Sequence, residues 1–177
     1  MTELLMFIDA KVRNGGHMIA LIRCDDRLIH GQCMTVIVKE YDIKTILVVD
    51  DMTASNPILK SVFAAAVPSN MKARALTVDE AVPKITAAMG NEERTLVLMK
   101  SPEVYCKLLE RIPDLPKDLN VGPMSNRKGS TEVNPSIHLM PNESAACAEA
   151  ADQGVHVWFR QVPGQPIIEW DSVKDRF

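Results

Sequence analysis

The chain has 177 residues, of which 46% are hydrophobic and 24% charged, and its formal net charge is −3 at pH 7. This length and composition are typical of one globular domain with a full hydrophobic core. The slightly acidic balance argues against a nucleic-acid-binding protein, because contact with a phosphate backbone needs clustered Lys and Arg. The four cysteines form no Cys-x-x-Cys pair, so we expect no metal site.

The first seventeen residues differ from the rest of the chain. Residues 1–17 lack the strand and helix patterns that follow, and they end in Asn-Gly-Gly-His just before Met18. A His-Met junction is common where a gene has been cloned behind a tag. We therefore interpret residues 1–17 as an expression leader or tag remnant, with a native extension as the alternative, and residues 18–177 as a single domain.

From Met18 onwards, short apolar runs that predict buried strands alternate with segments that predict helices. The predicted strands are 18–22, 44–49, 73–76, 94–99, 119–122, 137–140 and 155–160, and helices are predicted near 34–38, 57–67, 81–89, 102–111 and 142–153. This alternation predicts a three-layer α/β/α fold, in which helices cover both faces of a mainly parallel sheet.

Local signals mark several of the helix starts. Asn56-Pro57 combines an N-cap residue with a proline in the first turn, and 77–80 resembles a capping box. The helix after Pro57 carries an apolar stripe of the kind that packs on a core. Its members are Ile58, Leu59, Val62 and Phe63.

The most informative segment is 23–33, Arg-Cys-Asp-Asp-Arg-Leu-Ile-His-Gly-Gln-Cys, which lies between the first predicted strand and the helix after it. Ligands of open α/β sheets bind outside the carboxyl ends of the strands, and a helix start there offers free N–H groups to an anion. His30 is therefore a candidate phosphoryl carrier or general acid–base. His138 and His156 lie inside predicted strands, which favours structural roles for both.

The segment from Arg23 to Gln32 resembles the opening motif of the IIB component of the mannose/fructose/sorbose family of the bacterial sugar phosphotransferase system. Further matches follow in the same order along the chain: Asp50-Asp51 with Ser55-Asn56-Pro57, Lys100-Ser101-Pro102, and Asn120-Val-Gly-Pro-Met124 with Arg127 and Gly129. Three residues depart from the family pattern: Cys24 and Cys33 replace aliphatic residues, which we expect to matter little, and Pro123 replaces a glycine.

The resemblance implies a function. It implies that His30 is transiently phosphorylated at Nδ1 by a IIA protein or domain and passes the group to a sugar held by the IIC/IID membrane permease. No cofactor is implied, and the chain would act in the cytoplasm, peripherally associated with the permease. The sequence does not name the sugar, and it leaves a homodimer open. The family fold implies strand order 3-2-4-1-5-6, with room for an extra edge strand at the C-terminus.

The charged neighbours of His30 have distinct expected roles. Arg27 can give bidentate hydrogen bonds to phosphoryl oxygens. A salt bridge from Arg27 to Asp26 or Asp51 is the alternative, and it is compatible with the first role. Of the two carboxylates we favour Asp26 for orienting the imidazole or the arginine, whereas Asp25 shapes the turn.

Other groups complete the expected pocket. Backbone N–H groups around Ile29, Gly31 and Gln32 could hold the phosphoryl group if a helix begins there. Gly31 would also let a partner approach closely. In the implied strand order, Ser101 and Gly122 flank His30, and Ser101 could donate to the phosphoryl group.

Two other functions fit parts of the sequence. A non-catalytic anion- or nucleotide-binding α/β module would use the same crevice without needing His30. A histidine phosphatase-like hydrolase would carry Arg-His-Gly with the arginine adjacent to the nucleophile, but here Leu28 and Ile29 intervene.

Overall fold

The structure is a computed structural model that describes residues 18–177, so the predicted leader at 1–17 lies outside the described residues. The strands are β1 (Ile19–Cys24), β2 (Thr45–Val49), β3 (Lys72–Leu76), β4 (Thr95–Met99), β5 (Asp118–Val121), β6 (Thr131–Asn134), β7 (Ile137–Leu139), β8 (His156–Phe159) and β9 (Ile168–Glu169). Seven of these form one sheet in the order β3-β2-β4-β1-β5-β8-β9. All its neighbours are parallel except β8 and β9, which pair antiparallel.

Helices flank this sheet, so the predicted α/β class with a mainly parallel sheet is confirmed. Helix α1 covers 31–40; its centre, Cys33–Ile37, is π-helical and its end, Val38–Glu40, is α-helical. The others are α2 (Asp51–Ala54), α3 (Pro57–Ala65), α4 (Val78–Met89), α5 (Pro102–Arg111) and α6 (Pro141–Asp152). Two short 3₁₀ turns, Trp170–Ser172 and Lys174–Arg176, end the chain.

The strand order differs slightly from the expectation. The first five places agree, β8 takes the sixth place, and β9 is the extra edge strand at the C-terminus. The strand predicted at 137–140 is not part of this sheet, because β7 pairs antiparallel with β6 in a separate hairpin. Strands this close along the chain pair locally, since an antiparallel pair needs only a tight turn whereas a parallel pair needs a long crossover.

Strand β1 lies at the centre of the sheet, between β4 and β5. Its side chains are divided between two apolar cores, with Ile22 and Cys24 in one and Ala20 and Leu21 in the other. Cys24 is fully buried, as expected for a small hydrophobic residue. The segment after β1 therefore leaves the middle of a rigid sheet, flanked by the loops that follow β4 and β5.

Helix α3 only partly buries its apolar stripe. Ile58 and Val62 are 74% and 53% exposed, whereas Phe63 is half-buried against the core beneath. The N-cap itself follows the prediction: the Asn56 side chain accepts hydrogen bonds from the N–H groups of Ile58 and Leu59. One half of the stripe therefore packs and the other half meets solvent.

His156 links the last two strands of the sheet and should make stability depend on pH. Its Nε2 lies 2.7 Å from Glu169 Oε2, and its Nδ1 lies 3.6 Å from Asp118 Oδ1. Asp118, together with Glu169, raises the pKa of His156 against the opposing effect of burial. The protonated imidazole is therefore favoured in the folded state.

A histidine whose pKa is raised in the folded state stabilises the folded protein. This contribution is complete below the unfolded pKa of about 6.5, and it is lost as the pH rises through the folded-state pKa. We expect the free energy of unfolding to fall with rising pH in that window, and His156→Gln to flatten the slope. Urea unfolding of both proteins across this range tests it. An equal slope in the variant would contradict the assignment.

Candidate functional site

The chain turns sharply directly after β1. The carbonyl of Asp25 accepts the N–H of Leu28 at 2.9 Å, and Oδ1 of Asp25 accepts the N–H of Arg27 at 3.2 Å. Leu28 adopts a positive φ of 55° although it is buried and is not glycine. Such a conformation costs about 1–3 kcal/mol and persists where the surroundings enforce it, commonly at functional sites.

This turn brings His30 back onto Asp25. Nε2 of His30 lies 3.0 Å from Oδ2 of Asp25, whose side chain is fully buried, whereas the imidazole is 17% exposed. The sequence favours Asp26 as the orienting carboxylate, but in the structure Asp25 makes the contact with His30. The turn explains the difference, because it points the first carboxylate inward under the histidine and the second one away.

The contact with Asp25 decides which nitrogen of His30 is available. An ionised carboxylate only accepts hydrogen bonds, so Nε2 carries the proton. Nδ1 then keeps its lone pair, and it makes no hydrogen bond to any residue in the described part of the chain. Nδ1 is therefore available as a nucleophile, and the Asp25 carboxylate holds Nε2–H.

Asp26 connects this turn to the loop after β5. Its Oδ2 accepts the N–H of Ser125 at 2.7 Å, and its own N–H donates to the carbonyl of Pro123 at 3.2 Å. The proline that departs from the family pattern therefore contributes a carbonyl to this connection. Asp26 has a structural task here, and it makes no direct contact with His30 among the described residues.

Arg27 lies at the rim of the site. Its side chain is 48% exposed, and its Nε lies 3.8 Å from Oδ1 of Asp25. Its guanidinium also lies 3.5 Å from Oε1 of Gln32. The expected ion pair with Asp26 or Asp51 is not among its contacts; the carboxylate it faces is Asp25. The two contacts are long, so much of the guanidinium fork remains open to solvent.

A helix begins directly after His30, as the sequence predicts. The His30 carbonyl accepts the N–H of Met34 at 3.0 Å, and residues 31 and 32 are the first two of α1. Gly31 is exposed, and nothing lies within 4 Å of where its Cβ would be. Ile29 is buried. The first turn of any helix leaves N–H groups without intrahelical partners, and here that turn starts at the exposed histidine.

Ser101 and Gly122 occupy the loops on either side of β1, following β4 and β5. The Ser101 hydroxyl donates to Glu103 Oε2 at 3.1 Å and makes no contact with His30 among the described residues. Gly122 is buried, and a Cβ there would overlap the guanidinium of Arg23. The strand order thus places both residues at the expected edge, but neither touches the imidazole.

Sequence reasoning gave Arg23 no role in the site beyond membership of the motif. Arg23 is 2% exposed and lies directly beneath Asp25, with its Nη2 3.4 Å from Oδ2. An arginine inside an otherwise apolar strand was the available signal, because such a charge is almost never buried without a partner.

Comparison with known proteins identifies the family. The family model of the PTS system sorbose subfamily IIB component matches residues 19–176. The chain belongs to this family. A probable phosphotransferase enzyme IIB component of Streptococcus pyogenes serotype M6 is 33% identical over 136 residues, which are 75% of this chain and 83% of the relative.

Two further relatives extend the comparison. The mannose-specific EIIAB component of Escherichia coli K12 is 29% identical, over 86% of this chain and 47% of the relative. The crystal structure of the IIBSor domain of the sorbose permease from Klebsiella pneumoniae superposes with a TM-score of 0.78 and 26% identity, covering 88% of this chain and 94% of that one.

Family membership settles the class of activity. This IIB component is a phosphotransferase of sugar transport, and nothing in the comparisons supports the alternative of a non-catalytic binding module. No helix within residues 18–177 is long and apolar enough to span a bilayer. The same residues contain no group of three or more His, Cys, Asp or Glu placed to bind a metal ion.

Proposed function

We propose that His30 is the phosphoryl carrier of this IIB component. Nδ1 attacks the phosphorus of a phosphohistidine on IIA, so that a P–N bond forms at His30 as the donor's P–N bond breaks. The hydroxyl oxygen of the sugar then attacks the phosphorus as the P–N bond at His30 breaks, the hydroxyl proton passes to a base at the sugar site or to solvent, and the imidazole is regenerated. The contact of Nε2 with Oδ2 of Asp25 at 3.0 Å, from which the free lone pair at Nδ1 is inferred, is the observation that carries this proposal.

The Asp25 contact also supports the chemistry electrostatically. Attack through Nδ1 places positive charge on the imidazole ring, because the proton on Nε2 stays in place. A buried carboxylate against Nε2–H stabilises that charge and needs no reorganisation during the reaction. The proton need not leave the ring at any step, which suits a carrier that must accept and release the same group.

Arg27 is proposed to hold the transferring group. Its half-exposed guanidinium is anchored at one end through Nε near Asp25. The remaining donors can form paired, charge-assisted hydrogen bonds with phosphoryl oxygens. The N–H groups of Gly31 and Gln32 in the first turn of α1 are proposed as further ligands, as is the Ser101 hydroxyl after a change of rotamer.

The partners follow from the family. We propose a IIA protein or domain as donor and the IIC/IID permease as the site of the sugar acceptor, with the chain in the cytoplasm at the permease. The mannose-specific relative, named EIIAB, unites IIA and IIB in one protein, and this chain covers about half of it. The sugar is proposed to be bound by the permease.

The proposal is tested by reconstitution. The chain is incubated with phosphoenolpyruvate, the general phosphotransferase proteins and IIA, and the protein-bound phosphate is then exposed to acid and to alkali. Phosphohistidine is expected, which is labile in acid and stable in alkali. An acid-stable phosphate, or none in the presence of active IIA, would overturn the proposal.

Arg27→Lys tests the role of the guanidinium fork. Lysine keeps the charge but loses the planar pair of donors. We expect the rate of transfer from IIA to fall about tenfold or more, a loss of roughly 1.4 kcal/mol of transition-state stabilisation. The melting temperature should barely change, because this side chain is half-exposed. Wild-type rates in the variant would show that the arginine serves another purpose.

A further inference from the structure

A second arginine lies beneath the site and takes no part in the chemistry proposed so far. Arg23 extends from the central strand β1 and is 2% exposed. Its guanidinium donates to the Asn120 side chain, to the carbonyl of Arg160 at 3.1 Å and to the carbonyl of Gln161 at 2.7 Å. The same Nη2 that reaches Gln161 lies 3.4 Å from Oδ2 of Asp25.

We propose that Arg23 is a positioning residue for phosphoryl transfer: it holds the Asp25 carboxylate in the one orientation that fixes Nε2–H of His30 and leaves Nδ1 free. This inference rests on the proposed role of His30 as carrier. Arg23 sets the tautomer of His30 through Asp25, and it does not contact the reacting atoms.

The Asp25 side chain is completely buried. A fully buried carboxylate remains ionised only when cations or hydrogen bonds compensate its charge. Arg27 is a weak compensator, because it is half-exposed and its Nε lies 3.8 Å away. Arg23 stays charged at neutral pH, is itself buried and reaches Oδ2, the oxygen that contacts His30.

The orientation of the Arg23 guanidinium is fixed by its contacts. The guanidinium is planar, and its contacts with Asn120 and two carbonyls define that plane. It therefore cannot turn to follow a moving carboxylate, so Asp25 must align with it. Oδ1 of Asp25 is meanwhile occupied by the N–H of Arg27 at 3.2 Å. The two oxygens thus have different partners, and a rotation of the carboxylate out of its present plane would break both sets of contacts.

The surroundings of Arg23 fit this role closely. A Cβ at position 122 would overlap Cζ and both Nη atoms of the guanidinium, so glycine is required where the chain leaves β5. Gln161 is held in turn, because its side-chain oxygen accepts the Ser136 hydroxyl at 2.8 Å. The loop after β8 and the β6–β7 hairpin are thereby connected to His30 through one buried cation.

The proposal is tested with two variants and one control. Arg23→Lys keeps a positive charge but loses the rigid fork, and Gly122→Ala displaces the guanidinium without changing its charge. Arg94→Lys is the control, since Arg94 also donates to a main-chain carbonyl, from Nε to that of Tyr41 at 2.7 Å, but it precedes β4, at the amino-terminal ends of the strands and away from His30.

The readouts are the tautomer of His30, from nitrogen NMR of the unphosphorylated protein, and the rate of phosphoryl transfer from IIA. Wild type and Arg94→Lys should show the Nε2–H tautomer. Arg23→Lys and Gly122→Ala should show a substantial Nδ1–H population and at least tenfold slower transfer. A purely structural role for Arg23 would change the melting temperature and leave the tautomer of the folded protein unchanged.

If the variants are folded and show the wild-type tautomer and transfer rate, the proposed role of Arg23 is overturned. Phosphorylation of His30 in the wild type would still support the proposed function. Absence of phosphate from wild-type His30 would instead overturn the proposed function. If neither variant folds, the proposal is tested on the wild type by NMR of the Arg23 guanidinium. Its Nη protons should give resolved signals and be protected from exchange with solvent. A freely rotating guanidinium would contradict the proposal.

Discussion

Replacing His30 with alanine is expected to abolish phosphate uptake from IIA. The substitution removes the nucleophilic Nδ1, and no neighbouring group offers an equivalent lone pair, since Asp25 is buried and Arg27 is cationic. His138→Gln and His156→Gln serve as matched controls, because these histidines lie on β7 and β8 within strand pairs. Both should take up phosphate as the wild type does.

The stability of His30→Ala is measured alongside, because the variant must be folded for its loss to be informative. The imidazole is partly exposed and its side chain contacts Asp25, so we expect only a modest fall in the free energy of unfolding. Labelling of His30→Ala at the wild-type level would refute the carrier role. Loss of labelling in folded His138→Gln would show that the β6–β7 hairpin also takes part in phosphate uptake.

Asp25→Asn is expected to have the next largest effect. The amide can donate to Nε2, which favours the tautomer with the proton on Nδ1 and so occupies the nucleophilic lone pair. In serine proteases the equivalent exchange acts by the same wrong tautomer. We expect transfer to slow on the order of 100-fold or more, about 2.7 kcal/mol.

The same substitution removes the counter-charge of a buried arginine. Loss of one member of a buried ion pair typically costs about 3–5 kcal/mol, so the variant should also unfold at lower denaturant concentration. Asp26→Asn provides the comparison, because it keeps an oxygen for the N–H of Ser125. It should slow transfer far less; a larger effect at Asp26 than at Asp25 would reverse the roles assigned to the two carboxylates.

The sequence predicted much of the fold because its signals are local. The continuous apolar runs at β2 and β4 and the capping box at 77–80 each identify their own element, and all appear in the structure. The β6–β7 hairpin was missed because β7 is only three residues long and its antiparallel partner, β6, is largely polar.

The candidate site also combines features that depend on neighbours in sequence with features that depend on the folded structure. The position of His30 at the junction between a strand and a helix could be predicted, because that depends on neighbours in sequence. The choice between Asp25 and Asp26 could not, since it depends on the turn at Leu28 and its positive φ. The role of Arg23 could not be predicted either, because its partners Asn120 and Gln161 are distant in sequence and contact it only in the folded protein.

The central claim is that Nδ1 of His30 carries the phosphoryl group, and one measurement tests it directly. The chain, labelled with nitrogen-15 in its histidines, is phosphorylated through IIA and studied by phosphorus and nitrogen NMR before hydrolysis. The account predicts a single phosphohistidine, with the phosphorus coupled to Nδ1 of His30 and the proton retained on Nε2. Phosphate on Nε2 of His30, or on any other residue, would contradict it.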